Sequence, residues 1–155
     1  MTYRIEGLDP APFKALFALS DDALAARGAR RMIATERPGC PCRVGLDDAA
    51  VGTALLLVNH VSHAVANAYR ASHAIFVGEG ASEPAQFVDS VPPALDRRML
   101  SPRGFDADGM MVDALVVAPG EADAAIRKLF ADPAIVAIHA HNAVRGCFAA
   151  YIDRA

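Results

Sequence analysis

A chain of 155 residues, 54% hydrophobic and 21% charged, is too apolar to stay unfolded and has the length of one domain around one buried core. It contains no unbroken apolar run of the roughly twenty residues that span a bilayer. A formal net charge of -3 and a pI near 5.9 supply no overall attraction to nucleic acid or anionic lipid, so neither nucleic acid nor membrane is expected as a partner.

In chain order, Thr2 to Glu6 reads as a short strand. Asp9-Pro10-Ala11-Pro12 opens a helix, with Asp9 as cap and proline in the first turn, where no N–H is needed. Ser20 followed by Asp21 and Asp22 repeats that signal and predicts a second helix to Met32. Residues 1–39 thus form a helical lead over a strand-rich body, 40–155. Between them Thr35 to Cys42, with two prolines and a glycine, is an irregular loop.

In the body, Thr53 to His60 and Ser72 to Val77 read as strands. Val91 to Leu100 opens on prolines and predicts a short helix closed before Pro102. Ser101 to Gly109 is expected as a polar loop. Met110 to Val117 predicts a strand, Pro119 to Phe130 a helix with acids first and bases last, and Ala134 to His141 a strand. That is a β-α-β unit, right-handed if its strands lie parallel in one sheet. Gly146 to Asp153 returns antiparallel and completes a C-terminal β-α-β-β unit. The expected class is α+β: a single domain, 1–155, with a mixed β-sheet and an N-terminal helical cover.

Chemistry concentrates between Ala134 and Cys147. Strand alternation puts His139 and His141 on one face and Val136, Ile138 and Ala140 on the other. With a five-residue turn, Asn142 to Gly146, His141 faces Cys147 and His139 faces Ala149; a four-residue turn moves Cys147 to the opposite face and brings Phe148 beside His139. His139, His141 and Cys147 offer nitrogen and sulfur ligands for zinc, or a base beside a thiol nucleophile. Histidines lining a polar groove are the plainer alternative. Cys40-Pro41-Cys42 is too tight for an easy disulfide; it either joins the two histidines as zinc ligands or leaves Cys42 as a buried strand residue, with Arg43 free to bind an acid.

Asp113 interrupts an apolar strand and needs a partner if buried, with Arg43, Arg145 or a histidine as candidates. Arg70, Arg97, Arg98, Arg103, Arg145 and Arg154 form an anion pocket if the fold gathers them. Three cysteines, an odd number, suit reduced thiols, and no secretion signal opens the chain, so a cytoplasmic location is expected.

Four blocks, Cys40-Pro41-Cys42-Arg43, Tyr69 to Val77, Phe105 to Asp113 and Ile138 to Cys147, together resemble a bacterial family catalogued as a domain of unknown function (DUF1203). The resemblance spans most of the chain and implies a standalone bacterial domain; it carries over no activity, cofactor or catalytic residue. The functional expectation therefore comes from the residues: a small-molecule pocket lined by His73, Asp113, His139, His141, Asn142 and Arg145, with arginine orienting an anionic ligand. The alternatives are a zinc or other metal site on His139, His141 and Cys147, and a non-catalytic homodimerising module.

Overall fold

The computed structural model describes residues 1–155. In chain order its elements are β1 (Tyr3–Glu6), α1 (Ala11–Phe17), α2 (Asp21–Ala25), β2 (Arg30–Ile33), β3 (Ala54–His63), β4 (Ala71–Gly78), β5 (Gln86–Val88), α3 (Pro93–Asp96), β6 (Leu100–Phe105), β7 (Met111–Ala114), α4 (Ala122–Leu129), β8 (Ala137–Asn142) and β9 (Phe148–Arg154). The strands form a six-stranded sheet, ordered β5-β1-β9-β8-β6-β7, and a three-stranded sheet, β2-β3-β4. The class is α+β, as expected. In place of one mixed sheet there are two, and every ladder in them is antiparallel. The single parallel pairing outside the ladders is the Cys42–Phe76 bridge.

Both N-terminal helix starts follow from local chemistry. Asp9 Oδ1 accepts from Ala11 N at 2.9 Å, and Ser20 Oγ accepts from Ala23 N at 3.2 Å. The second helix does not reach Met32. Gly28 adopts φ +68°, a left-handed conformation that glycine takes without steric cost, and the chain leaves the helix there to pair as β2 with β3. The lead is thus more than a helical cover, since β1 lies inside the large sheet between β5 and β9.

Ser101 to Gly109 is likewise not simply a loop, because its first half is β6. Proline, arginine and glycine disguise the strand, yet the alternation is intact: Leu100, Pro102 and Gly104 are buried and Ser101 and Arg103 are partly exposed. A Cβ on Gly104 would sit 2.5 Å from Ile135 Cδ1, so the glycine makes room for that side chain. β6 runs antiparallel to both β7 and β8, which makes β7 and β8 parallel to each other. The β-α-β crossover through α4 therefore exists, but it straddles β6.

Each sheet has its own core. On one face of the large sheet Tyr3, Ile5, Ile138, Ala140, Ala150 and Ile152 meet Ala122, Ile126 and Leu129 of α4. On the small sheet Leu56, Val58, Ile75 and Val77 are covered by Phe13 of α1 and Leu24 of α2. Ile138 is fully buried; Ile138→Ala leaves a cavity under α4 and should cost about 2–5 kcal/mol in a denaturant titration.

Candidate functional site

The opposite face of β8 carries His139 and His141, and it packs against the small sheet. There His60 is paired across the ladder with His73, and a bulge after Val61 turns His63 onto the same side. All five histidines of the chain consequently lie between the sheets. His63 and His139 are edge to face with centroids 4.9 Å apart, as are His73 and His141, also at 4.9 Å. Phe105, Phe148 and Tyr151 complete the layer, with ring centroids 4.8, 5.6 and 5.6 Å from that of His139.

Burial sets the charge state of these rings. It pushes the His139 pKa down to about 3, helped by His63, His141 and Arg103, and that of His141 down to about 4, against the hydrogen bond to Gly146. His60 and His73 are lowered as well, again chiefly by burial. These four rings, His60, His73, His139 and His141, are neutral at pH 7.

The β8–β9 hairpin takes the four-residue turn. Asn142 N donates to Cys147 O at 3.0 Å and Gly146 N to Asn142 O at 2.7 Å. Cys147 accordingly faces away from both histidines, and Phe148 stands beside them. A bulge at Ala149 then slides β9 so that His139 pairs with Tyr151, a shift that the alternation of the sequence does not encode. The trio His139, His141 and Cys147 is not assembled, and no three His, Cys, Asp or Glu side chains are gathered in a way that could hold a metal ion. Cys42 is a buried strand-edge thiol that accepts from Gly78 N at 3.2 Å.

Behind the hairpin, on the far face of the small sheet, opens a cleft of about 920 Å³. Its apolar wall is Met32, Leu57, Ala74, Phe76, Met99 and Val144; its polar groups are Arg43, Arg98, Asn142, Arg145 and Cys147, with no acid among the thirteen lining residues. Of the expected pocket, Asn142 and Arg145 line this cleft, while His73, His139 and His141 belong to the layer on the other side of the hairpin. Asp113 belongs to neither. It is exposed on β7, and its Oδ1 accepts from Ala114 N at 2.8 Å, so no arginine or histidine partner is needed.

Arg43 is the residue that the expected pocket omitted. It is 3% exposed, and its Nε donates to Phe148 O at 2.7 Å, its Nη1 to Pro41 O, and its Nη2 to Cys147 Sγ at 3.2 Å. Two of the five guanidinium N–H groups remain, and no carboxylate pairs with it. Burial lowers its pKa, partly offset by Cys147 and Cys42. The Cys42–Phe76 bridge, followed by Arg43 N donating to Phe76 O at 3.0 Å, holds it in place. Cys147 Sγ also receives Asn142 Nδ2 at 3.3 Å.

Arg98 is, by contrast, neutralised. The Asp48 side chain is fully buried, with Arg98 Nη2 at 2.5 Å, Arg97 Nη1 at 2.9 Å and Gly39 N at 3.0 Å. Burial alone would raise the Asp48 pKa; the arginines and the Gly39 amide outweigh it and hold the carboxyl below its usual range. Arg154 Nη2 is engaged by the carbonyls of Phe130, Asp132 and Ile135, beyond the end of α4. The six arginines weighed for one pocket are thus dispersed.

A family model described as a protein of unknown function (DUF1203) matches residues 39–154. The chain belongs to that family. The DUF1203 match takes in Arg43, Asp48, the hairpin and all five histidines, leaving outside it only Met32 among the cleft residues. No curated protein and no solved structure matches the chain. No helix is long and apolar enough to cross a membrane.

Asp48→Asn keeps the shape but leaves Arg98 without its counter-charge and Arg97 with Asp47 alone. It should lower stability by about 3 kcal/mol at pH 7. Because the folded-state pKa of Asp48 is depressed, that stabilisation is present above the unfolded carboxylate value and is lost as pH falls through the folded one. A stability profile from pH 7 to 3 therefore should converge for the two proteins at the acid end.

Proposed function

We propose that this protein binds a small organic anion in the cleft between the small sheet and the Asn142–Cys147 hairpin. The carrying observation is Arg43: a guanidinium 3% exposed, in the cleft wall, with no carboxylate and two unused N–H donors. A buried cation is costly unless its charge is met, and a ligand carboxylate or phosphate meets it with charge-assisted hydrogen bonds. Arg145, exposed at the rim with no acidic partner, adds a second positive group. The apolar wall of Met32, Leu57, Phe76 and Met99 suits an organic body better than a bare inorganic ion. We place the protein in the cytoplasm, which accords with its three free cysteines.

The test is a calorimetric and thermal-shift screen of aliphatic and aromatic carboxylates and phosphate monoesters at pH 7.5. Ligands with an anionic head and an apolar body should stabilise the fold, by about 2.7 kcal/mol at a hundredfold excess over Kd. Arg145→Ala should weaken the best ligand about tenfold or more with the melting temperature of the free protein unchanged. Equal affinity in that variant, or preference for neutral analogues, would refute the reading.

A further inference from the structure

The joint between the two sheets differs in kind from the two cores it separates. Each core is apolar and covered by its own helices. The joint is built of imidazoles, and the charges facing it are unfavourable to any proton added there. From β3 come His60 and His63, from β4 His73, from β8 His139 and His141, from β9 Tyr151, from β6 Arg103, and from the loop after Cys42 comes Arg43. The carboxylate on this face of β9, Asp153, is held by Arg4 Nη2 at 2.6 Å. None of the five imidazoles makes an ion pair with an acid. The hydrogen bonds present go to uncharged partners: His63 Nε2 donates to Gly109 O at 2.8 Å, His141 Nδ1 to Gly146 O at 3.1 Å, and His73 Nδ1 meets Ser62 Oγ at 2.9 Å.

We propose that this layer is an acid-labile joint: when His139 and His141 take up protons, the small sheet with α1 and α2 parts from the large sheet, and each keeps its own core. In the parted state the rings regain water and their ordinary pKa near 6.5, whereas in the closed state His139 titrates at about 3 and His141 at about 4. The sign follows. The closed form is favoured fully above about pH 6.5 and loses ground as pH falls from there toward 4. With two protons taken up on opening, the ratio of closed to open changes up to about a hundredfold per pH unit in that window.

Hydrogen exchange on the intact protein between pH 7 and 4.5, corrected for intrinsic rates, tests the joint. The amide that ties the two halves, Ala85 N of the large-core side donating to Val44 O of the small-core side at 2.9 Å, should lose protection first. Amides inside the cores, around Ile138 and Ile152 and around Val58 and Ile75, should stay protected. Loss of all protection together, or none at pH 4.5, would overturn the proposal. His139→Phe, whose ring fits among Phe105, Phe148 and Tyr151, should reduce the pH dependence by about tenfold per pH unit and shift opening to lower pH. If that variant does not fold, His141→Phe, beside Phe148, serves instead and should shift opening in the same direction. An unchanged pH profile in whichever of the two folds would refute a role for the imidazoles.

Discussion

Two antiparallel sheets can meet only if the faces they turn to each other tolerate loss of water, and here those faces carry imidazoles in addition to aromatic rings. An imidazole satisfies that demand: it packs edge to face like phenylalanine, while ring nitrogens of His63, His73 and His141 still find a carbonyl or hydroxyl. His63 and His141 use backbone acceptors, Gly109 O and Gly146 O. The positions of β6, β8, β9, β3 and β4 all answer to this layer. Gly109 itself, at φ +73° with no room for a Cβ beside Val65 and His63, is shaped by it.

Arg43 connects this layer to the cleft. Its neighbour Val44 belongs to the small core and Leu46 to the large one, so the loop stitches the sheets together. Its guanidinium closes onto Phe148 O and Cys147 Sγ of the hairpin. A charge so placed sacrifices hydration for three hydrogen bonds of which none is to an anion. That imbalance distinguishes Arg43 from Arg98, whose charge Asp48 cancels.

Much of this was legible in the residues, and the failures have causes. Helix starts at Asp9 and Ser20 and the strands around Leu56, Ile75 and Ile138 follow from capping and apolar alternation. So does the shared face of His139 and His141. The strand at Leu100–Phe105 was hidden because proline and glycine act locally as breakers, while Ile135 packing over Gly104 is a tertiary matter. Asp113 was expected to line the pocket, with a charged partner if buried, because it interrupts an apolar strand; β7 is an edge strand and its residues reach solvent. The cleft itself could not be read, since Met32, Arg43, Phe76, Met99 and Arg145 come from five separate stretches. Arg43 left a trace in the extended Cys-Pro-Cys-Arg segment, whereas Asp48 had none, lying among other acids of an ordinary-looking loop.

At its closed end, before the bulge at Ala149, the hairpin between β8 and β9 alternates its side chains, so one stretch of chain is a wall of two different compartments. His141 and Phe148 point into the layer; Asn142 and Cys147 point into the cleft. The cleft is therefore walled by the same backbone that the imidazoles hold from behind. By linkage, an anion in the cleft that preferred the closed arrangement would make His139 and His141 harder to protonate, and acid would weaken the grip on that anion by the same factor. Proton and such a ligand would then compete without ever sharing an atom.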